Sequence, residues 1–294
     1  MSAIRPRRSV LYMPGANERA LEKAKSLPAD ALILDLEDAV APEAKVEARR
    51  RVCETVSNGG FGLRELIIRI NGLETEWGRD DLSAAVKAKP DVILVPKVTS
   101  SRDIAEIDGC MKAAGAPANL KLWVMIETPL AILNIQSIAD QKRTTSLEGF
   151  VIGANDLIKD IRGEYLPDRS NISTSLQLTI IAARAYDLLV FDGVFNDISD
   201  SNGFDAEARQ AKAYGFDGKT LIHPSQIDPC NTIFAPAANA VDHARAVIAA
   251  FDDPLNAGKG VLKVNGKMTE LLHLAQAKRT VAIAEAIAQR EAVS

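Results

Sequence analysis

The chain has 294 residues, 47% of them hydrophobic and 25% charged, with a formal net charge of −4 at pH 7. This is globular composition on a chain long enough to bury a large core without disulfides, and the acidic balance gives no general attraction for nucleic acid or an anionic membrane. Cys53, Cys110 and Cys230 stand apart with no C-x-x-C spacing, and Pro14-Gly15 breaks the only apolar run after Arg5, Arg7 and Arg8, so reduced thiols, no signal peptide, no membrane span and a cytoplasmic location are expected.

A strand-then-helix rhythm begins at once. Ser9–Met13 predicts a short strand closed by Pro14-Gly15, and Asn17 is placed to cap the helix that carries Ala20, Leu21 and Ala24. Ala31–Leu36 predicts the second strand, ending on Glu37-Asp38, and Pro42 opens a strongly charged helix. Glu65–Ile70 and Asp91–Lys97 predict strands three and four. Strands five and six come from Leu122–Ile126, ending on Glu127, and Gly149–Ile152, leading to Asn155-Asp156. Tyr186–Phe191 predicts the seventh and Gly218–His223 the eighth. Such runs are too short for buried helices and are closed by turn residues.

Eight such units over residues 1–235 predict an α/β fold, a (β/α)8 TIM barrel. The competing doubly wound sheet would carry a glycine-rich first turn, and Pro14-Gly15-Ala16-Asn17 has no G-x-G-x-x-G. Residues 236–294 follow another pattern. Positions 241, 244, 247, 248 and 251 put one apolar face on a helix, Asn265-Gly266 predicts a hairpin, and an alanine-rich helix closes the chain. We expect a C-terminal helix–hairpin–helix extension without its own domain-sized core.

In barrel enzymes the site lies at the C-terminal ends of the strands. This chain puts Glu37, Asp38, Arg69, Asn71, Lys97, Glu127, Asn155, Asp156 and His223 there. Charged residues ending buried strands are costly unless paired or metal-bound. Glu127 and Asp156 on adjacent strands could share a hard cation such as Mg²⁺, against the plainer alternative of cap or ion-pair contacts. No His/Cys cluster offers a zinc site. Arg69 suits a carboxylate or a developing oxyanion, or an ion pair with Glu37 or Asp38. Lys97 could form a Schiff base, but balancing the local carboxylates is the expected role. His223 is expected to be hydrogen-bonded or to line a ligand channel. Gly218-Lys219-Thr220 imitates the end of a P-loop, but residue 213 is alanine and the triplet leads into a strand, so a nucleotide hydrolase is rejected.

Taken in order, Arg8–Gly15, Leu34–Val40, Ile68–Asn71, Val95–Lys97, Met125–Pro129, Ile152–Asp156 and Leu221–Pro224 resemble the successive motifs of the citrate lyase β-subunit-like branch of the HpcH/HpaI aldolase superfamily. That branch includes malyl-CoA and citramalyl-CoA lyases and malyl-CoA thioesterases. The resemblance implies a homotrimer or homohexamer, with Mg²⁺ on Glu127 and Asp156. It implies Arg69 on the reacting acid and thioester, and the backbone near Ala154 and Asn155 on the acid's carboxylate. It implies the segment of Arg8 and Tyr12 near the CoA chain, and a lid formed by residues 260–268. The family's base is an aspartate after the hairpin. Here Met268-Thr269-Glu270 keeps the carboxylate one methylene longer.

The activity expected from the resemblance is Mg²⁺-dependent, Claisen-type cleavage of a short 3-hydroxyacyl-CoA to acetyl-CoA and a 2-oxo acid. Arg69, Glu270, Glu37 and Asp38 are the catalytic candidates, and Glu127, Ala154, Asn155, Arg8, Tyr12 and His223 the substrate-binding ones. The alternatives are a thioesterase acting on the same class of substrate, a citrate lyase β subunit acting on an acyl-carrier-protein thioester, and a non-catalytic barrel.

Overall fold

The structure is a computed structural model and describes residues 4–292. The expected barrel is present. Eight parallel strands close in sequence order: β1 Ser9–Pro14, β2 Ala31–Asp35, β3 Glu65–Arg69, β4 Val92–Val95, β5 Lys121–Ile126, β6 Leu147–Ile152, β7 Leu189–Asp192 and β8 Gly218–Leu221, the last pairing back onto β1. The seventh strand begins three residues later than expected, because Tyr186 ends the preceding helix and Asp187 takes a left-handed backbone with φ 54°.

Local chemistry sets the helix starts. Asn17 Oδ1 accepts from the Ala20 amide at 3.0 Å and caps α1 (Glu18–Ala24). The charged helix α2 runs Lys45–Asn58, and α3 runs Gly78–Ala88. Ser100 and Asp103 form a reciprocal capping box on α4 (Ser101–Ala113). Two short helices follow β5, α5 (Pro129–Leu133) and α6 (Ile135–Asp140), and α7 (Ala154–Asp160) follows β6. The ring of helices is completed by α8 (Ser173–Ala185) and α9 (Ser201–Tyr214).

The barrel interior is one apolar cluster fed by β1 to β7, including Val10, Ile33, Ile67, Leu94, Trp123, Val151 and Phe191. Trp123 and Phe191 stack with ring centroids 4.5 Å apart. Side chains alternate along a strand, so the residue two places beyond each interior position shares its face. Following Ile33, Ile67 and Met125 by two residues gives Asp35, Arg69 and Glu127. The periodicity that fills the barrel also delivers these three side chains to its mouth.

Contacts divide the described residues into two compact units, Arg7–Asn231 and a C-terminal unit from Thr232 that includes residues 4–6. The boundary falls within α10 (Ile227–Phe234). The C-terminal unit contains α11 (Ala238–Asp252), the antiparallel pair β9 (Val261–Val264) and β10 (Lys267–Glu270), and α12 (Leu271–Glu291). Asn265 and Gly266 both have positive φ, 47° and 80°, as a tight two-residue hairpin requires. Ala244, Val247, Val264 and Ala277 form its small core.

Candidate active site

The mouth of the barrel holds a cavity of about 320 Å³ whose lining includes Tyr12, Arg69, Glu127, Ala154, Asn155 and Asp156. Arg69 is its centre. Its guanidinium grips Asp35 with two bonds, Nε to Oδ1 at 2.6 Å and Nη2 to Oδ2 at 2.7 Å. Nη1 meets Glu37 Oε2 at 2.7 Å and Asp38 Oδ2 at 3.5 Å. The Tyr12 ring lies 4.8 Å from the guanidinium carbon. Nη1 also meets Met125 Sδ at 3.6 Å, so carboxylates and an aromatic face together fix the plane of the guanidinium at the mouth.

Asp35 was missed in the strand reading because it lies inside the run Ala31–Leu36. The signal was present: a carboxylate in a buried strand needs a cationic partner, and its register partner on β3 is Arg69.

Glu37 is a strongly perturbed carboxyl at the mouth. Burial, reinforced by Asp38, Glu127 and Asp35, outweighs Arg69 and pushes it up to about 8. Its Oε2 is buried and faces Arg69, with no aligned hydrogen bond among the described residues. Asp38 is exposed at the rim.

Glu127 and Asp156 come together, though by a different route from the one expected. Glu127 directly follows β5 and is 1% exposed, whereas Asp156 sits in the first turn of α7, four residues beyond the end of β6. Gly153 lets them meet. A Cβ there would lie 2.4 Å from both Cβ and Oε2 of Glu127. Lys97 lies between the two carboxylates, its Nζ 2.8 Å from Asp156 Oδ2 and 3.7 Å from Glu127 Oε1. Its backbone amide also donates to Glu127 Oε1 at 2.7 Å. Burial pushes Glu127 up against the opposing pull of Lys97. In Asp156 burial also opposes ionisation, but the ammoniums of Lys97 and Lys159 outweigh it and hold the carboxyl below its ordinary range. Lys97 therefore balances these carboxylates, as expected.

Among the described residues no group of three or more His, Cys, Asp or Glu side chains is arranged to hold a metal. The pair alone suits a hard cation that keeps water or ligand oxygens in its other positions.

Four predicted residues have other surroundings. Arg8 lies before β1, at the N-terminal end of the barrel, where Nε and Nη2 pair with the two oxygens of Asp30 at 2.9 and 3.1 Å. It therefore lies at the opposite end from the mouth that holds Tyr12, the other residue expected near a CoA chain. Asn71 is taken up by Lys45 at 2.7 Å and Asp81 at 2.6 Å. His223 is exposed and uses Nδ1 on Ser225, while its neighbour Ile222 lines the cavity. Glu270 lies in the C-terminal unit, where it caps α12, its amide donating to His273 Nδ1 at 2.9 Å. The rejected P-loop lysine, Lys219, is fully buried and donates to Asp192, the Gly193 carbonyl and Glu207 at 2.7, 2.6 and 2.6 Å. Arg169 takes the other Asp192 oxygen. This network fixes the turn after β7, beside Ala154.

Comparison with known proteins identifies the family. The family described as HpcH/HpaI aldolase/citrate lyase matches residues 8–224. The chain is 46% identical over 283 residues, 96% of each chain, to a (3S)-malyl-CoA thioesterase of Cereibacter sphaeroides. It is 37% identical over 292 residues, 98% of this chain and 96% of the other, to citrate lyase subunit beta of Escherichia coli. The structure of protein CitE from Mycobacterium tuberculosis in complex with magnesium, acetoacetate and coenzyme A aligns with a TM-score of 0.76 at 28% identity, covering 94% of this chain and 97% of that one.

Proposed function

The chain belongs to the HpcH/HpaI aldolase/citrate lyase family, and on that premise we propose that its barrel mouth binds Mg²⁺ through Glu127 and Asp156 and hydrolyses a short malyl-type coenzyme A thioester. The observation that carries this reading is the shared cation. Two carboxylates from different elements converge on one positive charge, the Lys97 ammonium, and so offer their oxygens to a single cation. The magnesium complex of the Mycobacterium tuberculosis relative supports the choice of ion.

Mg²⁺, when bound, supplies a Lewis acid and a template for the acid end of the substrate. The first-turn amides of α7 at Ala154 and Asn155 receive that carboxylate, since a helix start leaves its first amides without intrahelical partners. Arg69, fixed by Asp35, donates to the thioester oxygen as negative charge grows there. Glu37 holds its proton at neutral pH and gives it to the departing sulfur. Asp38, exposed beside Arg69, accepts the proton of the attacking water. Glu270 is the alternative acceptor of that proton, offered by the C-terminal hairpin of a neighbouring copy. The homotrimer or homohexamer implied by the family provides such copies, and the exposed apolar residues of that unit, Met268, Leu271 and Leu272 among them, support the arrangement.

The similarity to thioesterases over 96% of both chains favours hydrolysis. The second reading is carbon–carbon cleavage to acetyl-CoA and a 2-oxo acid, which the citrate lyase relative favours. In that reading Arg69 stabilises the enolate charge instead. Product analysis with malyl-CoA and Mg²⁺ separates the two. We expect malate and free CoA, with neither product in EDTA. Acetyl-CoA and glyoxylate would establish the second reading, and no turnover of any kind would remove malyl-CoA as the substrate.

A further inference from the structure

The geometry points to Lys97 as a tethered stand-in for the metal: its ammonium occupies the seat between Glu127 and Asp156 in the metal-free protein and is displaced when a divalent cation binds. The inference rests on the proposed ligand role of those two carboxylates and adds a competitor built into the chain.

Three observations carry it. First, the ammonium is not paired with one carboxylate alone. It lies between two that come from different elements, 2.8 Å from Asp156 and 3.7 Å from Glu127. A hard divalent ion needs the same oxygens, so ammonium and ion cannot both hold them. Second, the backbone at Lys97 is left-handed, with φ 57°, a conformation disfavoured for any residue with a Cβ. In this conformation the Lys97 amide holds Glu127 Oε1 at 2.7 Å. Glu127 is therefore kept in place by the backbone, and the side chain of the same residue is left to compete for its charge. Third, the ammonium has somewhere to go. Lys97 also lines a second cavity of about 450 Å³, shared with Glu74, Thr99 and Glu106. The side chain is 33% exposed, so it can leave without unpacking the core.

Lys159 supplies the control. It pairs with the same Asp156 at 3.0 Å, but from the solvent side and without touching Glu127. Removing its charge reports the general electrostatic effect of a nearby cation, whereas removing the Lys97 ammonium also empties the seat. The two variants should differ for that reason alone.

The test uses the full chain stripped with EDTA and titrated with Mg²⁺ by calorimetry. Lys97→Met should bind Mg²⁺ about tenfold more tightly than the parent, Lys159→Met less than about threefold more tightly, and Glu127→Gln not at all. Mass-spectrometric footprinting with an amine-acylating reagent reads the displacement directly on the unaltered protein, so it does not depend on any variant folding. Saturating Mg²⁺ should raise acylation of Lys97 at least about threefold over an EDTA control. If Lys97→Met leaves Mg²⁺ affinity unchanged or weaker, or if Lys97 acylation does not rise at saturation, the stand-in role is overturned while the ligand pair stands. If Glu127→Gln binds Mg²⁺ as tightly as the parent, the ligand pair itself fails, and the stand-in role with it.

Discussion

At the residue scale, the mouth is a contest over protons and charges among Arg69, Asp35, Glu37 and Glu127. Arg69 is matched by the Asp35 fork, which a lysine cannot reproduce because a point charge lacks paired, coplanar donors. Arg69→Lys should therefore keep the fold and lower kcat roughly 10²–10³-fold, measured with whichever thioester the product assay identifies. Arg69→Ala should instead leave Asp35 buried without its cation and destabilise by about 3–5 kcal/mol, read by chemical denaturation. Glu37 gives a pH signature. Its folded-state pKa of about 8 lies above the ordinary value of 4.5, so the folded protein keeps a proton that the unfolded chain releases. Its contribution is thus fully present at low pH and is lost as pH rises from the unfolded value through about 8. In EDTA, Glu37→Gln should gain stability over the parent by roughly 2–4 kcal/mol between pH 5 and pH 8, with no further gain above that range. A constant difference across this range would mean that Glu37 ionises normally.

At the scale of elements, the site is made where strands stop. Glu127 was legible because a buried strand ends on it, and so was Arg69. Asp156 was legible as a carboxylate beside Glu127, but not as a helix residue, because Gly153-Ala154-Asn155 carries no strong helix-start signal. Arg8 and Tyr12 part company in the structure for a related reason. A motif is read as one unit, yet the strand inside Arg8–Gly15 spans the barrel from end to end, so its first residue and its last lie at opposite ends. Asp35 was hidden because it sits inside an otherwise apolar run, and Lys219 was read only as a P-loop imitation, when each is half of a buried pair. Gly153 is the joint between β6 and α7 that these patterns do not reveal. Gly153→Ala would drive a methyl group into Glu127. It should weaken Mg²⁺ binding at least about tenfold and cost about 1–3 kcal/mol, read by calorimetry and thermal melting. Gly109→Ala on α4, where the added methyl meets nothing within 4 Å, should instead stabilise by roughly 0.5–1 kcal/mol.

At the scale of the whole molecule, the barrel and the C-terminal unit pose different problems. The barrel closes on itself, so β1 and β8 pair and no strand edge is left open. Its charged interior residues are satisfied internally, down to a fully buried lysine with three acceptors. The C-terminal unit does the reverse. Its core is small, and Val261, Met268, Leu271 and Leu272 are all at least half exposed. Apolar surface on two strands and the start of a helix is costly in a monomer, and another copy of the chain is the partner proposed to cover it. Native mass spectrometry should therefore find a trimer or a multiple of it. Met268→Asp combined with Leu272→Asp should dissociate that assembly while leaving the barrel's circular dichroism intact. If Glu270 acts on a neighbour's substrate, the dissociated variant should keep its Mg²⁺ affinity, because Glu127 and Asp156 belong to one barrel, and should lose turnover. Dissociation with full turnover would place every catalytic group within a single barrel and leave Asp38 as the base.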